Sequence, residues 1–198
     1  MTRATIQTPS NRYFDLLNPD PNDIFIEDIA HALSHIARFS GNTREFYSVA
    51  QHCVLCSRIN PYNQAFEKLL HDAAEAYIGD LVSPLKNLLP GYKAIEDSID
   101  KAVANRFGLS PGFQNTAEVK RADLTMLVNE KRFLFPKNDL DQHEWAGVYQ
   151  NLKHFGVEPG EIARVEIDPW PAKQAHKIFL ETFRVLCRNQ PHEVFNVC

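Results

Sequence analysis

From Phe46 to Ile59 the chain is apolar nearly all the way round a helical wheel. Tyr47, Val49, Ala50, Cys53, Val54, Leu55, Cys56 and Ile59 leave no wet stripe. Such a helix is stable in water only when other elements wrap it on every side, and Asn60-Pro61 ends it. His52 lies inside this run. It is either a satisfied core histidine or a ligand, and the run alone leaves both open.

The periodicity of the remaining chain supplies the wrapping as helices. Asp28 opens one through about Ala37, with Ile29, Leu33 and Ile36 on its buried side. The stretch from about Gln64 to Ile78 carries Phe66, Leu69, Leu70, Ala73, Ala74 and Tyr77 at helical spacing, and Gly79 stops it. A short helix follows at Ser83-Pro84-Leu85-Lys86 and closes at Pro90-Gly91. Tyr92 to Phe107 is the next, closed by Gly108. Another spans about Ala117 to Phe135, with Val119, Ala122, Met126, Leu127, Phe133 and Leu134 inward and Pro136 as its end. The last runs from Pro171 to Arg188, burying Ala175, Ile178, Phe179, Phe183 and Leu186.

Asn11 to Ile26 reads as two short strands around the Pro/Asn/Asp turn at 18–23. Lys137 to Pro171 has mixed periodicity and is expected to hold loops, short helices or an Ile162–Ile167 strand. Asn189 to Cys198 is expected to be a loosely held tail. The predicted fold class is therefore all-α, a helical bundle with a small N-terminal β-hairpin. A chain of 198 residues fits one domain.

Composition narrows the function. A net charge of −4 argues against non-specific nucleic-acid binding; if the substrate is a phosphate, the positive charge must be local. No run has the length of a membrane span, and Met-Thr-Arg-Ala-Thr-Ile has no signal-peptide core. Cys53, Cys56, Cys187 and Cys198 show no disulfide framework, which points to a reducing cytosol. Cys53 and Cys56 form a lone C-x-x-C inside a helical pattern and are read as buried helix residues. His31 and His35 stand four apart, a spacing metals use. No further ligand is evident beside them, so the pair is not read as a site.

Three segments carry polar residues that packing does not explain. They are His52 in the core helix, His71-Asp72 on the central helix, and Asp123 within an apolar stripe. Glu130 falls near the same stripe and needs a partner, most simply an arginine. Two histidines and two aspartates suit one divalent ion with open positions, Mn²⁺, Fe²⁺, Co²⁺ or Zn²⁺ among the candidates. Glu75 lies one turn beyond His71 and faces the same side, free for proton work.

This order of residues resembles the H…HD…D signature of the HD-domain phosphohydrolases. Val49-Ala50-Gln51-His52, the run His71-Asp72-Ala73-Ala74-Glu75-Ala76-Tyr77-Ile78-Gly79-Asp80, Pro84-Leu85-Lys86 and Lys120-Arg121-Ala122-Asp123 look like the small single-domain branch. That branch dephosphorylates deoxynucleotides. The likeness covers about Asp28 to Pro136, with 1–27 as an N-terminal hairpin and 137–198 as a C-terminal extension that resembles only prophage-type relatives.

The resemblance implies His52, His71, Asp72 and Asp123 as ligands of a divalent metal (Co²⁺, Mn²⁺, Zn²⁺, Fe²⁺ or Mg²⁺). It implies Glu75 and Asp80 as the catalytic carboxylates, and Arg38 as a contact to substrate phosphate. Phe39 stands where a tryptophan lies beside the sugar, and Lys86 is a further candidate cation. The implied reaction is hydrolysis of a deoxynucleoside monophosphate to deoxynucleoside and phosphate. The alternatives are a dNTP triphosphohydrolase releasing deoxynucleoside and triphosphate, and a non-catalytic HD scaffold. The resemblance further implies a homo-oligomer, a dimer or hexamer, with a deoxynucleotide as its partner; charge, hydropathy and the cysteines give the expectation of a cytoplasmic protein that binds neither nucleic acid nor membrane.

Overall fold

The computed structural model describes residues 4–136 and 145–190. Strands β1 (Thr5–Gln7) and β2 (Tyr13–Asp15) pair antiparallel, Ile6 opposite Phe14. Helices α1 (Ile26–His35), α2 (Val49–Ser57), α3 (Ala65–Leu70), α4 (Glu75–Ile78) and α5 (Ser83–Lys86) follow. Then come α6 (Tyr92–Phe107), α7 (Ala117–Leu134), α8 (Ala146–His154) and α9 (Ala172–Cys187). The fold is all-α with a small two-stranded hairpin near its N-terminus, as the periodicity predicts.

Helix α2 is the axis, and every residue in it is buried. Its start is fixed by Ser48, whose Oγ accepts the Gln51 N–H at 3.2 Å. At its other end the buried Lys68 Nζ donates to Ile59 O and Pro61 O at 3.1 and 2.6 Å. That lysine satisfies carbonyls no helix partner reaches. Helices α1, α3, α7 and α9 pack on α2. Helix α9 brings Phe183 against Phe66 and Phe107, with ring centroids 5.4 and 5.6 Å away. No described helix is long and apolar enough to cross a membrane.

The hairpin lies earlier than its Pro/Asn/Asp signal suggests. Its turn is Thr8–Arg12, with Asn11 at φ 61°, a left-handed conformation asparagine tolerates. The 18–23 segment forms a 3₁₀ turn instead, in which Asp20 accepts the Asn22 N–H. Ile24 and Ile26 enter the core rather than a strand, because Ile26 opens α1. Buried Asp28 ties hairpin to helix by accepting from the Ser10 N–H at 2.8 Å and its Oγ–H at 2.7 Å.

The expected continuous helix over 64–78 is broken. Between α3 and α4, residues His71 to Ala74 form a tighter turn with i to i+3 hydrogen bonds, such as Glu75 N–H to Asp72 O at 3.0 Å. Of the two readings for the C-terminal part, the described residues have loops with short helices, and Ile162–Ile167 is not a strand. Its backbone is held by side chains. Asn129 donates to Ala163 O at 2.9 Å and accepts from Val165 N–H at 2.9 Å. Gln51 donates to Asp168 O and accepts from Trp170 N–H, both at 2.8 Å. Two amides thus do what a sheet neighbour would. Most of the expected tail, 191–198, lies outside the described residues.

Cys53 and Cys56 are free and buried. Cys187 is disulfide-bonded, so the reading of the cysteines as lacking disulfides is corrected there. Its physical reason is that proximity in the fold, not spacing in the chain, decides pairing.

Candidate metal centre and its cleft

His52 hangs from the middle of α2, His71 and Asp72 from the tight turn before α4, and Asp123 from α7. Their polar atoms meet. His52 Nε2 lies 3.3 Å from His71 Nε2, 3.3 Å from Asp123 Oδ1 and 3.6 Å from Asp72 Oδ2. His71 Nε2 lies 3.3 Å from Asp72 Oδ2 and 4.0 Å from Asp123 Oδ1. Donors bound at about 2.1 Å from one ion sit roughly 3.0–3.4 Å apart when adjacent, and somewhat further when not.

The hydrogen bonds behind the histidines fix which nitrogen faces inward. His71 Nδ1 lies 2.7 Å from Lys68 O, which can only accept, so Nδ1 carries the hydrogen. His52 Nδ1 faces the Glu130 carboxylate at 2.5 Å in the same way. In its neutral form each imidazole therefore presents a lone pair at Nε2 toward the other and toward two carboxylates. Four acceptors aimed at one point repel unless a cation lies among them, and an imidazole backed by a carboxylate or carbonyl is what metal-binding histidines show.

The charges respond accordingly. Burial and Arg38 oppose a proton on His52, but Cys56, Glu130 and the bond to Asp123 outweigh them and raise its pKa well above normal. Burial lowers His71. Burial would raise Asp72 and Asp123, yet the two histidines and Arg38 hold both below the usual carboxylate range. One proton on His52 satisfies part of this set; a divalent ion satisfies all of it.

Cys56 is the residue that sequence reasoning missed. Its Sγ lies 3.4 Å from His52 Nε2, one turn on along α2. Both cysteines of the C-x-x-C are buried helix residues, as its pattern predicts, and the i, i+4 spacing from His52 to Cys56 is the signal left unused. A buried cluster of His52, Cys56, His71 and Asp72 could hold a metal ion. Glu130 finds the expected arginine, Arg38, at 3.1 Å, and the histidine as well.

A cleft of about 480 Å³ opens beside the cluster, within the range of small-molecule sites. Arg38, Phe39, Asp72, Glu75, Asp80 and Lys86 line it, together with Lys120 and Asp123. Phe39 and Ser40 both have left-handed backbones, φ 55° and 52°, which neither side chain favours. Asn42 Nδ2 holds the turn by donating to Phe39 O at 2.9 Å. Arg44 secures the same loop by donating to Phe135 O at the end of α7. Strain of this kind concentrates at functional loops.

Arg38 and Lys86 are not bare cations. Arg38 Nη1 lies 3.6 Å from Asp72 besides its bond to Glu130. Lys86 Nζ lies 2.9 Å from Glu96 Oε1 and 3.5 Å from Glu75 Oε1. Glu75 is buried, and its Oε2 has no hydrogen-bond partner among the described residues. Burial first, then Asp72 and Asp80, raise its pKa well above normal. Burial also raises Asp80.

Behind the cleft, Asp100 is buried and accepts from Gln114 at 2.7 Å. Burial, with Glu96 adding, lifts its pKa to about 7. Unfolded, the group ionises near 3.9, so between about pH 4 and 7 the native state binds the extra proton and stability falls as pH rises. Asp100→Asn removes that penalty while keeping an acceptor for Gln114. The variant should melt higher than wild type at pH 8, by on the order of 1–3 kcal/mol, and the two should converge near pH 4. Thermal melts across pH check this; parallel curves would contradict it.

No protein-family model matches the chain. It is 52% identical over 174 residues to the uncharacterized protein YfdR of Escherichia coli (strain K12), covering 88% of this chain and 89% of that one. It is 42% identical over 132 residues to an uncharacterized protein of Rhodobacter capsulatus, 62% of this chain and 66% of that one.

Proposed function

We propose, for a chain that belongs to the family of the Escherichia coli protein YfdR, the activity of a metal-dependent phosphohydrolase on the 5′-phosphate ester of deoxynucleotides. One observation carries the reading: acceptor atoms of His52, His71, Asp72 and Asp123, from three segments, meet beside a cleft walled by cations and the buried carboxyl of Glu75. The donor set fits a divalent ion of the kind the resemblance implies. Such an ion would activate water and polarise a phosphoryl oxygen.

The chain's own residues supply the rest. Arg38 and Lys86, with Lys120 beyond them, present positive charge to phosphate oxygens along one wall. Phosphate arriving there competes with Asp72 and Glu75 for these cations, so binding loosens the ion pairs that now hold them. Burial, then Asp72 and Asp80, favour a proton on Glu75 and raise its pKa, against the pull of Lys86. It can pass that proton to the departing 5′ oxygen, and Asp80 stands in the same cleft to take one up. Phe39 offers an apolar face for the sugar.

Lys120 gives a third cation on the wall and favours a second reading, removal of triphosphate from a dNTP. Incubating the protein with a panel of dNMPs and dNTPs in Co²⁺ or Mn²⁺, with products separated by chromatography, tests both. Phosphate from dNMPs is the expected result, and tripolyphosphate from dNTPs selects the second reading. Turnover of neither by metal-loaded protein would leave only a scaffold.

A further inference from the structure

Outside the cleft lining, α1 and α9 pack together and bring three histidines into one group. His31 and His35 stack with ring centroids 4.4 Å apart. His176 of α9 meets the His31 ring edge-on at 6.2 Å. The sequence offered only the i, i+4 pair; the fold adds a donor from 141 positions further along, the distance in sequence between His35 and His176. Glu27 lies one turn before His31 on the same stripe of α1 and acts electrostatically on His176.

A second observation points to a ligand. His35 Nδ1 lies 2.8 Å from His31 O, a group that can only accept, so the hydrogen sits on Nδ1 and the lone pair on Nε2. This is the arrangement His71 has with Lys68 O at the cleft. It is how a protein sets an imidazole to bind a metal. Glu27 and His31 are exposed, so their side chains can turn toward an ion at His35 Nε2 without disturbing the core.

We propose that Glu27, His31, His35 and His176 form a second metal site that takes an imidazole-preferring divalent ion such as Zn²⁺ and clamps α9 onto α1. Three imidazoles and one carboxylate match the ligand preference of Zn²⁺, Ni²⁺ and Cu²⁺, and offer little to Mg²⁺. Because the ion would join two helices far apart in sequence, it stabilises the native fold and not the unfolded chain.

The test is calorimetric titration of Zn²⁺ into protein free of any histidine tag, comparing wild type, His176→Ala, His35→Gln and Asp72→Ala. The expected result is one more equivalent bound by wild type than by His176→Ala, or at least about a tenfold weaker second event in that variant. Asp72→Ala should keep this equivalent and gain thermal stability on adding Zn²⁺. The site therefore stands or falls separately from the cleft. Should Asp72→Ala fail to fold, the difference between wild type and His176→Ala decides alone. Identical titrations of wild type, His35→Gln and His176→Ala would overturn the proposal.

Discussion

Asp72→Ala is expected to empty the cleft of metal and stop turnover. Asp72 Oδ2 sits 3.3 Å from His71 Nε2 and 3.6 Å from His52 Nε2, so it is central to the donor set. Its removal leaves two imidazoles and one carboxylate with less charge to hold a divalent ion. Even partners outside the ligand shell contribute 10–100-fold to metal affinity, so the loss should exceed about 100-fold. Arg38 keeps Glu130 as a partner, so the loop it anchors should survive the change. Elemental analysis of the purified variant, beside circular dichroism and a turnover assay, reads the result. Wild-type metal and activity would return Asp72 to the surface.

Glu75→Gln should separate chemistry from binding. Glu75 is not among the four converging donors, and its Oε2 is buried without a partner. Glutamine keeps the shape and the contact to Lys86 but cannot give up a proton as an acid. Acid–base groups typically contribute 10²–10⁴-fold, so turnover should fall by about that much while metal content holds. The wild-type pH profile carries the same signature. Burial, Asp72 and Asp80 raise the Glu75 pKa, so its acid form persists above the ordinary carboxyl range and activity should fall as pH rises through that raised value. The variant should lack that alkaline limb. Single-turnover rates across pH decide it: full activity in Glu75→Gln would remove its catalytic role, and loss of metal would make it a ligand.

The helices and the odd residues on them were legible because burial is expensive for charge. Asp123 stands out in the stripe of Val119, Ala122 and Met126 for that reason, and the structure sets it 3.3 Å from His52. Glu130 announced its need for an arginine, but not which one; Arg38 lies 92 positions away. The break at His71–Ala74 was hidden, since 3.6 and 3.0 residues per turn place the same few apolar positions inward over so short a span. The hairpin was misplaced because Pro, Asn and Asp favour a 3₁₀ turn as readily as a hairpin loop. The Ile162–Ile167 segment looked like a strand in composition, but its backbone partners are side-chain amides, which no pattern of apolar residues reports.

Those amides bear on what the smallest autonomous version of this protein is. The likeness to deoxynucleotide hydrolases ends near Pro136, and a designer would cut there. Gln51 and Asn129 are buried, and residues 163–170 supply backbone partners for both. A truncated chain would strand these groups, at about 1–3 kcal/mol for each left unmatched, against a whole-fold margin of roughly 5–15 kcal/mol. Gln51 immediately precedes His52, so the loosened end would sit next to the centre being minimised. The extension is thus part of the minimal unit, a strap whose backbone pins α2 beside His52 and α7 beside Glu130.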